Sequence, residues 1–268
     1  MKISVIIPVF DRLHLLPYTI DSVINQSNDI DEIIIIDDGS KEDIKQVLKP
    51  YQDTVVLIQT INQGVSHARN TGIKNAKNEW LAFLDSDDEW MKDKIKKQTD
   101  FHKNNPDTLF SHTGEKWIRN NRRIKYPKRL EKPKEWCFLD NTLTCKIAAS
   151  SVMIHKKIFE KIGYFDENLK VCEDYDFWLR VSFEYKIGLL DEELIIKKAG
   201  HQQLSNSIFA IDRYHIYSLE KFLNTKYHNE VKKIIEKKCQ ILIKGAIKHN
   251  NYEIINIYTK KLESLKTL

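Results

Sequence analysis

Short unbroken apolar runs alternate with stretches whose apolar residues return every three or four positions, and this alternation dominates the first half of the chain. Ile3-Ser4-Val5-Ile6-Ile7, closed by Pro8, is rich in β-branched residues and predicts a strand buried on both faces. Leu13, Leu16, Ile20, Val23 and Ile24 then recur at helical spacing. A second buried strand, Ile33-Ile34-Ile35-Ile36, stops at Asp37-Asp38-Gly39-Ser40, and a helix through Ile44, Val47 and Leu48 ends near Pro50. A third strand over 55–58, a helix over 65–76 and a fourth strand over 80–84 follow, the last stopped by Asp85-Ser86-Asp87-Asp88. Strands alternating with helices in this way predict an α/β fold with a mainly parallel sheet and right-handed crossovers. Acidic or glycine-bearing segments follow the carboxyl ends of strands one, two and four, the edge where open α/β sheets bind ligands.

The second half is less regular. Residues 109–154 mix short strand-like pieces with a basic stretch. A short helix is expected over 156–162, a turn at Gly163-Tyr164-Phe165-Asp166, a helix over 173–183, and short strands near 187–190 and 194–198. Beyond about residue 206 the spacing turns helical: Val231, Ile234, Ile235, Leu242 and Ala246 share one face, and Ile255, Tyr258, Leu262 and Leu265 another. A main domain over 1–205 and a small helical appendage over 206–268 are expected.

With 268 residues, 41% hydrophobic and 30% charged, the composition is that of a globular protein and excludes a disordered one. Cys137, Cys145, Cys172 and Cys239 are scattered without a CxxC pair. Met1 leads straight into the first strand with no leader-like segment, so reduced thiols in a cytoplasmic protein are expected. No apolar run reaches the ~18 residues of a membrane span, so any membrane contact is expected to be peripheral, at the inner face. The net charge of +5 is uneven: nine basic residues stand between 116 and 134 against Glu131 alone, and Lys232-Lys233, Lys237-Lys238 and Lys260-Lys261 pair up in the tail. Such runs fit an anionic partner, an acidic membrane among them, or a merely solvated face. Nucleic acid is disfavoured, because only Trp117, Tyr126 and Trp136 offer stacking surfaces near the stretch.

Four clusters offer chemistry, each with a plain structural alternative. Asp85, Asp87 and Asp88 repel one another unless a cation or donors satisfy them; they suit Mg²⁺ or Mn²⁺, or an acidic turn capping a helix that starts near Trp90. Asp37-Asp38-Gly39-Ser40 suits contacts to a base or ribose, or a helix cap. Arg69, after the Asn62-Gln63-Gly64 turn, can reach a nucleobase or phosphate, or stay at the surface. Glu173-Asp174 opens a helix, where acids favour the dipole, and a carboxylate there can serve as general base.

Taken in order, these segments resemble glycosyltransferase family 2 and its GT-A fold, a Rossmann-like, mainly parallel sheet flanked by helices. The resemblance runs through Ser4-Val5-Ile6-Ile7-Pro8-Val9-Phe10 with Arg12, Ile36-Asp37-Asp38-Gly39-Ser40, Asn62-Gln63-Gly64 with Ala68-Arg69-Asn70-Thr71-Gly72, and Phe83-Leu84-Asp85-Ser86-Asp87-Asp88. It continues through Ser151-Val152-Met153, Ile162-Gly163-Tyr164-Phe165-Asp166-Glu167 and Glu173-Asp174-Tyr175-Asp176-Phe177-Trp178-Leu179-Arg180, covering residues 1 to about 206. It implies a nucleotide-sugar half over 1–105 and an acceptor half over 106–205. It also implies inverting transfer from a nucleoside diphosphate sugar, UDP-sugar foremost, to a glycan or lipid-linked acceptor, in bacterial surface polysaccharide or lipopolysaccharide synthesis. Asp38 and Arg69 would contact the nucleobase, with Pro8, Phe10, Arg12 and Asp37 shaping its pocket; Asp85, with Ser86 beside it, would face the ribose. Asp87, aided by Asp88, would hold Mn²⁺ or Mg²⁺, with His201 touching the metal or diphosphate. Asp174 would be the base and Glu173 its rival. Asp11 stands where the family often has Asn. A sugar nucleotidyltransferase is the first alternative, weakened by Pro8-Val9-Phe10-Asp11-Arg12 in place of a Gly-rich phosphate loop; a non-catalytic nucleotide-sugar or glycan-binding protein is the second.

Overall fold

The computed structural model describes residues 1–120, 122–125, 130–198 and 209–267. Among the described residues nine strands form one sheet: β1 Ile3–Val9, β2 Glu32–Asp37, β3 Val56–Gln59, β4 Trp80–Phe83, β5 Asp88–Trp90, β6 Phe110–Arg119, β7 Arg122–Ile124, β8 Met153–His155 and β9 Gly188–Lys198. Their order is β3-β2-β1-β4-β8-β6-β9-β5, with β7 hairpinned onto β6. The first four run parallel as expected, while β8 pairs antiparallel with both β4 and β6. The helices are α1 Leu16–Ile24, α2 Ile44–Leu48, α3 Val65–Asn75, α4 Lys94–Asn104, α5 Phe138–Leu143, α6 Lys157–Ile162, α7 Glu173–Glu184, α8 Asp212–Glu220, α9 His228–Lys248 and α10 Tyr252–Lys266.

Strand alternation sorts the isoleucine runs into two cores. Ile6, Ile34 and Ile36 face one side of the sheet, where Ala68 and Ile73 of α3 and Phe177 and Trp178 of α7 cover them. Val5, Ile7, Ile33 and Ile35 face the other, against Leu16 and Ile20 of α1 and Ile44 of α2. All seven residues of β1 are buried, as befits an inner parallel strand, and each fully buried isoleucine contributes roughly 1.5–3 kcal/mol. Gly72 lets α3 lie close on β1, since a Cβ there would stand 2.4 Å from Cγ2 of Ile6.

Three elements depart from expectation. The helix expected near Trp90 begins instead at Lys94, and Asp88-Glu89-Trp90 form β5, paired antiparallel with β9. Only four residues separate β4 from β5, although β5 stands four places further along the sheet. Four steps of ~4.8 Å exceed what so short a link spans, so the sheet curls to bring β5 and β9 back toward β4. The two strands expected near 187–198 are one, β9, its polar centre absorbed by register shifts opposite Thr113 and Gly114. The short helix α5 was not expected at all.

A third core joins α7 to the C-terminal helices. The outer face of α7, Tyr175 and Leu179, packs with Phe138 of α5, Leu219 of α8 and Ile235 and Leu242 of α9. Polar links reinforce it: Lys221 Nζ reaches Asp176 at 2.6 Å and Asp166 at 2.8 Å, and Lys238 Nζ reaches Asp212 at 2.8 Å. Among the described residues no helix is long and apolar enough to cross a membrane.

Two core histidines set an expected pH response. Burial lowers His102 to about 4, against the pull of the Thr108 carbonyl, and lowers His112 to about 3, with Lys132 adding to it. The unfolded chain therefore takes protons below about pH 6.5 that the folded one refuses, and stability present above that pH declines as it falls. Each histidine should cost about 1.4 kcal/mol one pH unit below 6.5. Urea midpoints at roughly pH 7.5 and 5.5 check this; equal midpoints would contradict it.

Candidate active site

Three strand ends and the start of one helix converge at the carboxyl edge of the parallel strands. After β1 the chain turns through Asp11 and Arg12, both with positive φ (49° and 64°). The Asp11 amide donates to Ser40 Oγ at 2.9 Å, and the Lys41 amide donates back to the Asp11 carboxylate at 3.0 Å. The loops after β1 and β2 are thereby tied together, so the departure at Asp11 serves as a tether. Pro8 is buried at the end of β1, and Phe10 remains 45% exposed beside it.

The acidic pair after β2 is engaged locally. Asp37 accepts from the Ser40 amide at 3.0 Å and from Gln59 Nε2 at 3.1 Å. Asp38 accepts from the amides of Gln63 at 3.0 Å and Gly64 at 2.7 Å, and from Thr60 Oγ1 at 3.2 Å. Both carboxylates are buried, and Asp38 holds the loop that starts α3, where Gly64 is the N-cap and offers no side chain. Gly39, at φ 79°, lets the backbones pass: a Cβ there would stand 2.9 Å from the Asn62 nitrogen.

Arg69 is the centre of the site. It projects from α3, is 3% exposed, and forks between two elements: Nη2 donates to Asp85 at 2.7 Å and Nη1 to Glu173 at 2.5 Å. Phe165 lies 5.4 Å from the guanidinium, and Nε has no partner among the described residues. One cation thus joins the end of β4 to the start of α7. Burial works to raise Asp85, but Arg69 and Lys197 outweigh it and hold that carboxyl below its usual range. Burial raises Glu173 to about 7, with Arg69 opposing and Asp174 adding to the rise. The next residue, Asn70, clamps the turn before α7, donating to the Phe165 carbonyl at 2.9 Å and accepting from its amide at 3.0 Å.

The carboxylates after β4 are dealt to three different cations. Asp85 faces Arg69; Asp87 pairs with Arg12 at 2.6 Å; Asp88 receives Lys197 of β9 at 3.1 Å and Ser150 Oγ at 2.6 Å. Burial raises the Asp88 carboxyl to about 7 against the pull of Lys197. The Ser86 carbonyl accepts from Thr19 Oγ1 at 2.9 Å, and Thr19 donates to the Asp88 carbonyl as well, so α1 holds the turn from behind. Side-chain exposure follows the pairing: 29% for Asp85, 15% for Asp87 and 4% for Asp88. Among the described residues no three metal-ligating side chains are gathered together. The donor set nevertheless fits a hard divalent cation, which takes one or two carboxylates and draws its other oxygens from water and phosphate. Asp87 and Asp85 are the more exposed pair, and an ion there would compete with Arg12. His201 lies outside the described residues.

Asp174 follows Glu173 at the head of α7, half-buried where Glu173 is buried. Its Oδ1 accepts from the Tyr175 amide at 2.7 Å, and its Oδ2 from Cys145 Sγ at 3.4 Å. Glu173, Asp174 and Asp176 all stand in the first turn of α7, where the helix dipole favours negative charge. Sequence reasoning missed Ser150, Lys197 and Cys145. Ser150 immediately precedes Ser151-Val152-Met153, but only the pairing of β9 with β5 brings Lys197 to this edge, and only the packing of α5 on α7 brings Cys145 there.

The Glycosyl transferase family 2 profile matches residues 4–163, more than half of the chain. The chain belongs to that family. A Rickettsia felis protein named as an uncharacterized glycosyltransferase is 38% identical over 200 residues, 72% of this chain, which spans only 32% of the length of that relative. The Bacillus subtilis protein TuaG, named for teichuronic acid biosynthesis, is 30% identical over 181 residues, 66% of this chain and 70% of TuaG. Among solved structures, S. aureus TarS in complex with UDP-GlcNAc superposes with a TM-score of 0.69 at 20% identity, over 89% of this chain and 71% of that one. The family's GT-A fold is therefore the fold of this chain. The profile ends at residue 163, before α7, so Glu173 and Asp174 rest on the geometry above.

The basic stretch between 116 and 134 is less uniform than its sequence. The Lys132 side chain is only 7% exposed and ion-paired with Glu115, and Arg123 pairs with Glu193. Residues 126–129 lie outside the described set.

Proposed function

We propose that this chain is an inverting glycosyltransferase that moves a sugar from a nucleoside diphosphate sugar, UDP-sugar foremost, onto a glycan or lipid-linked acceptor. Bacterial surface polysaccharide assembly is the setting we infer, with peripheral contact at an anionic membrane. The observation that supports the reading is the Arg69 fork, which ties Asp85, at the carboxyl edge of the parallel strands, to Glu173 at the head of α7, next to the half-buried Asp174. The UDP-GlcNAc named with TarS and the teichuronic acid named with TuaG favour this donor and acceptor class.

Asp174 takes the proton of the acceptor hydroxyl as that oxygen attacks the anomeric carbon opposite the diphosphate. Glu173 is committed to Arg69 and acts by positioning. Phe10, exposed at the end of β1, offers a face for the base, and Asp85 lies where a ribose hydroxyl would be held. Asp87 would hold Mn²⁺ or Mg²⁺, with Asp88 remaining the strut between β5 and β9. When bound, the ion would supply a positive charge that offsets the negative charge growing on the diphosphate.

Thermal melting against nucleoside diphosphates with and without Mn²⁺ tests donor binding and metal use together. At about 100 times its Kd a ligand should stabilise the protein by about 2.7 kcal/mol. UDP with Mn²⁺ is expected to raise the midpoint, and Asp87→Ala to lose most of that shift while melting normally without ligand. No shift with any diphosphate contradicts donor binding; a full Mn²⁺-dependent shift in Asp87→Ala contradicts the metal assignment.

A further inference from the structure

The outer face of α9 carries a pattern that nothing in the fold uses. Lys233, Lys237, Ile241, Lys244, Ile247 and Lys248 are all exposed, and at 100° per residue they fall within an arc of about 120°. The arc also contains Gln240 but, from 233 to 248, no acid. None of these four lysines has an ion-pair partner among the described residues, whereas Lys238 is drawn inward to Asp212 and Lys261 to Glu220. The opposite face, with Val231, Ile235, Cys239 and Leu242, is buried in the third core.

At the rim of this face Lys238 Nζ donates to the Leu143 carbonyl at 3.3 Å, setting α5 alongside. There α5 exposes Leu139 and Leu143 and buries Phe138, Asn141 and Thr142 on its other side. Two residues beyond Leu143, Cys145 touches Asp174.

We propose that this face of α9, with Leu139 and Leu143 at its rim, docks on an anionic lipid leaflet. Charge complementarity chooses the occupant: four unpaired lysines along about 22 Å of straight helix match a flat anionic surface. Ile241, Ile247 and the α5 leucines add apolar side chains that sink below headgroups. Nucleic acid is the poorer match, because the face has no arginine to fork onto bases or phosphates and no aromatic ring to stack. A second copy of the chain would set lysines against lysines across a two-fold contact. Docking on α9 places the leaflet beside α5, whose end leads to Asp174, the side a lipid-linked acceptor would enter.

Sedimentation of the full chain with vesicles of phosphatidylcholine, with and without phosphatidylglycerol, tests the surface without donor or acceptor. Its failure leaves the transferase reading standing, and a failure of transfer leaves this one standing. Binding is expected only to the anionic vesicles, weakening at high salt as exposed charges are screened. Neutralising Lys237, Lys244 and Lys248 to Gln should lower the partition coefficient on the order of 100-fold, about fivefold per lysine. Ile241→Ser with Ile247→Ser should remove the part that survives salt, while Lys116→Gln with Arg122→Gln changes little. Unaltered circular dichroism identifies folded variants. Absence of anionic-vesicle binding, full binding by the lysine variant, or tighter binding to an oligonucleotide than to the vesicles would each overturn the proposal.

Discussion

Replacing Asp174 by Asn is expected to leave donor affinity nearly unchanged and to slow sugar transfer by ~10²-fold or more, the usual scale for a general base. The amide side chain keeps the oxygen that accepts from the Tyr175 amide, so the first turn of α7 survives the change. What it loses is the capacity to take a proton. Glu173→Gln should behave differently, because Glu173 is buried against Arg69 and its loss strips a cation of one of two partners. Its defect should appear in stability and donor affinity before the chemical step. Single-turnover rates and donor titrations on both variants separate the two roles. A dead Glu173→Gln beside an active Asp174→Asn would reverse them.

Removing Arg69 is expected to have the largest effect on the fold. Arg69→Met keeps the aliphatic stem but leaves Asp85 and Glu173 without the cation between them. Breaking a buried pair by removing one partner typically costs 3–5 kcal/mol, roughly 6–20 °C in a chain of this length. Arg69→Lys should recover little, since a single ammonium cannot fork between carboxylates on two elements. Adding Asp85→Asn and Glu173→Gln to Arg69→Met should restore part of the lost stability, because no unpaired charge then remains buried. A melting midpoint within about 2 °C of wild type for Arg69→Met would contradict this account of the fork.

The parts of the fold legible in the sequence were those whose physics is local. Ile3–Val9 and the isoleucines of β2 declare inner strands because nothing else buries β-branched runs so densely, and the period of α1, α3 and α7 is plain. β5 has three residues, two of them acidic, and becomes a strand only because β9 offers a partner more than a hundred positions away. The six residues of α5 are too few to show a period. The polar Asp191-Glu192-Glu193 splits β9 in the sequence, while the register shifts against β6 keep it whole.

The site follows the same division. Arg12, Arg69, Asp85, Asp87, Glu173 and Asp174 were all legible as chemistry-bearing residues, but not which acid answers which base. Arg69, expected at a nucleobase, also bridges two carboxylates, and Asp38, expected beside it, also holds the loop before α3. Those pairings depend on where strand ends meet, which the curl of the sheet decides and no local pattern reports.

Turnover of nucleotide sugars tests the central claim most directly. Wild-type protein incubated with UDP-, GDP-, CDP- and dTDP-sugars in Mn²⁺ should release nucleoside diphosphate from one class, UDP-sugars foremost. Magnetic resonance should show the transferred sugar with inverted anomeric configuration, and Asp174→Asn should release almost none. No release from any nucleotide sugar, or a product that retains the donor's configuration, would contradict the account.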